Sequence, residues 1–205
     1  MNKKLITLDG PSGVGKTTIG KRLANELNCE FFSSGLLYRV IALHNEKTNS
    51  FNLNKFEIIS NDPVVCKVDG NIYEEDNLYT PQINTKSSEI AQLSEIRKIV
   101  SNVLQFIFSN SRTGLVVEGR DMGSVVFKNA DLKIYLDASE TTRSDRRLAQ
   151  SDSKESVEDL RARDSRDINR KISPLIIPDD AIVINNENKS IDEVIKIIKE
   201  NLKLQ

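Results

Sequence analysis

The residues with the clearest chemical spacing are Gly10-Pro11-Ser12-Gly13-Val14-Gly15-Lys16-Thr17. They follow the pattern G-x-x-x-x-G-K-[ST], which wraps backbone around a phosphate. Glycines let the chain turn so that its N–H groups and a helix N-terminus point inward at an anion. Lys16 then reaches the β- and γ-phosphates as a point charge, and the Thr17 hydroxyl ligates Mg²⁺. The pattern implies a nucleoside triphosphate and leaves the acceptor open. A second group, Glu118-Gly119-Arg120-Asp121, brings two acids and a cation together. Its alternative reading is a structural Arg120–Asp121 pair in a turn. Arginines recur elsewhere: Arg39, Arg97, Arg143, Arg146, Arg147, Arg161, Arg163, Arg166 and Arg170.

These groups need elements to hold them. Leu5-Ile6-Thr7-Leu8-Asp9 is apolar and reads as a buried strand. The segment 18–28 follows with Ile19, Leu23, Ala24 and Leu27 on one helical face, so the loop sits between strand and helix as its chemistry requires. Further strands are expected at 30–33, 115–119, 132–136 and 181–184. This alternation predicts an α/β fold, a five-stranded parallel sheet with helices on both faces. Glu118, Arg120 and Asp121 then fall at the carboxyl end of the third strand of that sheet, where open sheets bind ligands. Ser34 reads as the N-cap of a helix carrying Arg39, a candidate phosphate clamp. Between 48 and 86 the chain turns polar, and Asp69-Gly70-Asn71 signals a hairpin. Apolar spacing from Ser87 to Ser109 predicts one helix of six turns. Arg97 lies on it beside the core-facing stripe and needs an anionic partner, structural or ligand. Helices are also expected at 141–150, 157–170 and from Ser190 to Leu202, with a polar break at 151–156. The polar segments 48–86 and 143–170 read as lobes closing over the site. The Arg163–Arg170 run also fits surface charge pairing along a helix.

Composition narrows the class. The chain has 205 residues, 29 Lys+Arg against 30 Asp+Glu, and a net charge of −1. That balance lacks the basic excess of a bulk nucleic-acid binder, so no nucleic-acid partner is expected. Cys29 and Cys66 have no metal-ligand spacing and suggest a reducing compartment. No apolar run reaches the ~20 residues of a membrane span. A cytoplasmic protein without a membrane partner is expected. His44, the single histidine, is placed on a helix surface with no catalytic role.

No general base is needed if the acceptor is a monophosphate. Its second pKa near 6 makes it an anion already. Such an acceptor needs neutralised charge and in-line placement, which spread arginines supply.

At this point the chain is similar to the bacterial-type cytidylate kinases, members of the nucleoside monophosphate kinases. The similarity runs from Leu5 to about Lys199. It is carried by the glycine loop with Asp9, by Ser34-Gly35-Leu36-Leu37-Tyr38-Arg39, by 118–126, by Ala130-Asp131-Leu132-Lys133-Ile134, by 163–170, and by Pro174-Leu175 and Asp180-Ala181. The resemblance implies one P-loop kinase domain over 1–205, with a nucleoside-monophosphate lobe at 36–97 and a helical lid at 143–170. It implies ATP and CMP or dCMP as substrates, Mg²⁺ as cofactor, and a monomer. Gly10 through Thr18 would hold ATP: Gly10, Pro11, Ser12, Gly13, Val14, Gly15, Lys16, Thr17 and Thr18. Thr17, and Glu118 through water, would serve Mg²⁺. Ser88, Arg97 and Asp121 match positions that read cytosine. Arg163 and Asp167 match contacts to the sugar, and Arg39, Arg120 and Arg170 match contacts to the acceptor phosphate, with Ser34 in the same nucleotide site. Lys16, Arg120, Arg146 and Arg147 would stabilise the transferring group. Three departures stand out. The family usually has aspartate at Ser33 and at Glu118, and often arginine at Asn84, where the lost charge is expected to loosen closure of the insert. Competing readings are a kinase for UMP or another small metabolite, and a P-loop ATPase acting as a switch or transport subunit.

Overall fold

A computed structural model describes residues 3–51, 53–61, 64–150 and 156–203. In chain order the elements are β1 (Lys4–Asp9), α1 (Lys16–Leu27), β2 (Glu30–Ser33), α2 (Ser34–Thr48), β3 (Phe56–Asn61), β4 (Val64–Val68), β5 (Asn71–Glu74), α3 (Glu75–Leu78), α4 (Pro81–Ile90), α5 (Ser94–Asn110), β6 (Gly114–Glu118), a π-helical turn (Met122–Val126), β7 (Leu132–Asp137), α6 (Glu140–Gln150), α7 (Val157–Asn169), β8 (Ile182–Asn185) and α8 (Ile191–Leu202). They form two compact units, Met1–Ser33 with Leu104–Gln205, and Ser34–Val103.

The first unit holds a parallel sheet in the order β2-β6-β1-β7-β8. Its central strands are apolar enough to be buried on both faces; every residue of β6 is buried. Ile6 and Leu8 turn to one face and pack with Val116, Ile134 and Leu136 against Ile19, Leu23 and Ala24 of α1 and Val194, Ile195 and Ile198 of α8. Each valine, leucine or isoleucine among them contributes about 1.5–3 kcal/mol on burial. Thr7 and Asp9, displaced by one in the strand period, face the π-helical turn instead. The register aligns Leu8 with Glu118, Ser33 with Glu118, and Asp9 with Tyr135. The carboxyl ends of these strands therefore form one edge, and the loops with chemistry leave from it. α7 opens with a capping box, Ser156 and Asp159 exchanging hydrogen bonds. Of the polar break expected at 151–156, residues 151–155 lie outside the described residues.

The second unit combines α2 with an antiparallel sheet, β3-β4-β5, and with α3, α4 and the start of α5. The expected hairpin is present: Asp69 and Gly70 have φ of 47° and 87° between β4 and β5. Strand β3 was not legible, because its polar Asn, Ser and Glu neighbours mask it. The single helix expected over 87–109 is in fact two. α4 starts at Pro81, capped by the Thr80 hydroxyl, and ends at Ile90. Arg97 Nη1 donates to the Ala91 carbonyl at 2.9 Å, taking up an acceptor that a continuous helix would use itself. The break turns Leu93 outward, to 48% exposure. His44 also departs from expectation. It is buried, and its Nδ1 shares a 2.6 Å hydrogen bond with the Tyr73 hydroxyl, joining α2 to β5.

Candidate active site

The glycine loop is shaped by its neighbours. Gly10 has φ of 145°, and a Cβ there would stand 2.2 Å from the Leu136 carbonyl oxygen; one on Gly13, at φ 74°, would stand 2.6 Å from that of Arg143. No other residue fits these two positions without moving β7 or α6. Lys16 is buried. Its Nζ donates to the carbonyls of Gly10 (2.8 Å) and Pro11 (2.7 Å). Burial and the nearby Arg120 push its pKa well down, against the pull of Glu118. A phosphate in the loop would supply the missing counter-charge. Thr17 Oγ1 donates to Glu118 Oε1 at 2.8 Å.

The loop is gripped from outside by three residues whose roles the sequence did not reveal. Arg143 Nη1 donates to the Ser12 carbonyl at 2.9 Å and pairs with Asp164, whose Oδ1 accepts the Ser12 N–H at 3.0 Å. Both ends of one loop peptide segment are thus tied to a buried ion pair between α6 and α7. Asn186 Nδ2 donates to the Val14 carbonyl at 2.8 Å, and its Oδ1 accepts from Arg146 Nη1 at 2.9 Å. Arg146 Nη2 adds a bond to the Asn186 carbonyl. Asn186 follows the carboxyl end of β8, and that placement was the available signal. Arg147 lies half-buried on α6.

Beyond β6 an ionic chain forms. Arg120 Nε donates to Asp167 Oδ2 at 2.8 Å, Arg170 stands 3.5 Å from Asp167 Oδ1, and Arg170 stands 3.6 Å from Asp121 Oδ1. Arg120 thus pairs with Asp167 across to α7, and Asp121 meets Arg170. Burial raises the Asp167 pKa, yet Arg120, Arg163 and Arg170 together hold it below the ordinary carboxylate value. Arg120 is held above its usual value, burial being outweighed by Asp167, Asp164 and Glu118. Asp9 sits beneath this group. Its carboxylate accepts the N–H of Met122 at 2.9 Å and of Gly123 at 2.8 Å. It thereby anchors the turn that starts directly after Asp121. Burial lifts the Asp9 pKa to about 6 despite those two bonds.

In the second unit, Arg39 Nε donates to Asn84 Oδ1 at 3.0 Å, and its guanidinium lies 4.5 Å from the Tyr79 ring centre. Ser34, Ser88 and Arg97 are buried. Ser34 is the first residue of α2 itself. The Arg97 guanidinium lies 5.7 Å from the Tyr38 ring centre.

Mg²⁺ fits this donor set. Glu118 Oε2 is buried with no protein partner, next to the exposed Thr17 hydroxyl. Among the described residues no cluster of three or more acidic, histidine or cysteine side chains surrounds it. The protein offers one carboxylate and one hydroxyl, the hard oxygen set of an ion that takes its other ligands from water and phosphate.

A parallel sheet whose first strand feeds a glycine loop, a lysine and a hydroxyl onto a helix N-terminus defines the P-loop class of α/β proteins. Likeness to solved structures supports that fold. An uncharacterised Eubacterium ventriosum protein superposes with a TM-score of 0.58 at 13% identity, covering all of both chains. A shikimate kinase from Bacteroides thetaiotaomicron gives 0.51 at 14%, covering 98% of each. Within the class, the model of the cytidylate kinase family matches residues 6–204, and the chain belongs to that family. It is 36% identical to a cytidylate kinase of Chlamydia caviae over 95% of both chains. It is 31% identical to one of Clostridioides difficile over all of both.

Proposed function

We propose that the protein transfers the γ-phosphoryl group of ATP to the phosphate of CMP and dCMP, giving CDP and dCDP. Membership of the cytidylate kinase family supports the substrate class. The observation that carries the mechanism is the cationic edge of the first unit, where Lys16, Arg120, Arg163 and Arg170 converge around buried carboxylates.

The chain's own residues have distinct tasks. The loop from Gly10 to Thr18 receives the ATP phosphates, and Lys16 exchanges its two carbonyl partners for phosphate oxygens. Asn186 and the Arg143–Asp164 pair keep the loop in shape. Arg120, paired through Nε to Asp167, turns its remaining donors to the acceptor phosphate, joined by Arg170 and Arg39. Arg146 and Arg147 stabilise charge on the transferring group. Asp121 accepts from the cytosine N4 amino group, while Ser88 and Arg97 donate to N3 and O2. Arg163 and Asp167 engage the sugar hydroxyls. No base is needed, because the acceptor oxygen is already ionised. Thr17 and Glu118 would hold Mg²⁺, which when bound neutralises charge on the phosphates.

Residues 36–97 are assigned to the acceptor nucleotide and 143–170 to a lid over the site. The proposed enzyme acts as a monomer. ADP formation measured with CMP, dCMP, UMP and AMP tests the reading. CMP and dCMP should be the best acceptors. A preference for UMP overturns the base assignment, and ADP release that no monophosphate accelerates overturns the kinase reading in favour of an ATPase.

A further inference from the structure

Asn84 stands where the lost charge is expected to loosen closure of the insert, and the structure gives it a definite partner. It is 3% exposed, on α4, and its Oδ1 accepts from Arg39 Nε, on α2, at 3.0 Å. Its other end is different. Nδ2 is buried with no protein hydrogen-bond partner. Burying that donor costs stability, so the favourable contact of the amide is its bond to Arg39. The useful half of the amide is the half that faces Arg39.

A guanidinium is planar, so two constraints fix it. The bond to Asn84 sets the direction of Nε, and the Tyr79 ring 4.5 Å away sets the tilt of the plane. A phosphate taken by an arginine fork needs that plane held closely. A neutral amide does this without adding a negative charge that would compete for the arginine. We infer that Asn84 and Tyr79 are positioning residues for Arg39 and set the affinity for the phosphate monoester of the acceptor. The inference rests on the reading of Arg39 as a contact to that phosphate.

The test is a kinetic cycle over Asn84→Ala, Arg39→Ala and the double variant, with KM measured separately for CMP and ATP. Asn84→Ala should raise KM for CMP by about tenfold, the loss of one hydrogen bond to a charged group. KM for ATP should stay within about twofold, and adding Asn84→Ala to Arg39→Ala should change little, as expected for two residues acting as one unit. Tyr79→Leu, which removes the ring from the guanidinium face, should raise KM for CMP and leave KM for ATP within the same twofold. Asn84→Ser replaces Asn84→Ala if the latter does not fold. Unchanged KM for CMP, equal losses for both substrates, or additive effects in the double variant overturn the inference. Wild-type protein in the same assay tests the enzyme reading by itself. If it lacks CMP-dependent turnover, inorganic phosphate becomes the probe, through its effect on melting temperature. A smaller rise in Asn84→Ala than in wild type supports the inference; equal shifts, zero included, overturn it.

Discussion

Replacing Asp9 with asparagine should make the protein's stability less sensitive to rising pH while damaging its function. Burial raises the Asp9 pKa from 3.8 to about 6. A carboxyl with a raised folded-state pKa contributes its stability fully below the unfolded value, and loses it as pH rises through the folded one. Between the two values the folded protein binds one more proton than the unfolded chain. The slope is then about 1.4 kcal/mol per pH unit, and roughly two units give ~3 kcal/mol. Asparagine resembles the protonated acid and does not titrate. Urea unfolding of both proteins between pH ~4 and ~7.5 isolates this group, because the other titrations cancel in the difference. Relative to wild type, Asp9→Asn should gain ~3 kcal/mol in stability between the acid and the neutral end, against a constant cost for the backbone N–H that the amide leaves without an acceptor. Function should move the other way. The amide keeps one acceptor and turns a donor toward the other N–H, so the turn at Met122 and Gly123 shifts, and Asp121 and Arg120 with it. Parallel stability curves would refute the argument that burial outweighs the two backbone bonds at Asp9.

Three further outcomes follow from the geometry. Asp164→Ala should destabilise the fold by about 3–5 kcal/mol, because it strands buried Arg143, and should raise KM for ATP through the freed Ser12 peptide; denaturation and ATP titration together check this. Asp121→Ala should narrow the CMP-to-UMP ratio of kcat/KM by ~1–3 kcal/mol, one base-edge contact, and an unchanged ratio would make Asp121 only a partner of Arg170. Lys16→Ala should abolish transfer in a protein that still folds, as seen by circular dichroism beside an ADP assay.

The sheet was readable because its strands are short apolar runs bounded by polar turns. Leu5–Asp9 and Leu115–Gly119 could hardly be placed elsewhere, and the glycine loop named its own neighbours. The three-stranded sheet of the second unit was half hidden, since β3 carries Glu57, Ser60 and Asn61 among its apolar residues. Periodicity alone could not show that Arg97 would divide one helix into two, because that depends on a bond to a carbonyl. His44 was misplaced for the same reason: only β5 brings Tyr73 within reach. At the site, sequence indicated Lys16, Thr17, Glu118, Arg120, Asp121 and Asp167, which stand at strand ends or in spaced runs. The Asp164–Arg143 grip on Ser12 and the Asn186 clamp join distant segments, and no local pattern encodes such pairs.

The strand order also governs when the protein can form during synthesis. β1 and β2 are made one after the other, yet β6 lies between them. Glu30 must wait for Leu115, and Leu5 for the same residue on its other side. Until Gly114–Glu118 leaves the ribosome, two apolar strands have edges with no partner, a state prone to wrong pairing. The intervening Ser34–Val103 is a contiguous compact unit, so its own contacts can close while the first strands are still waiting. A nascent chain halted just before β6 should therefore protect that segment from protease, with both early strands still open to cleavage.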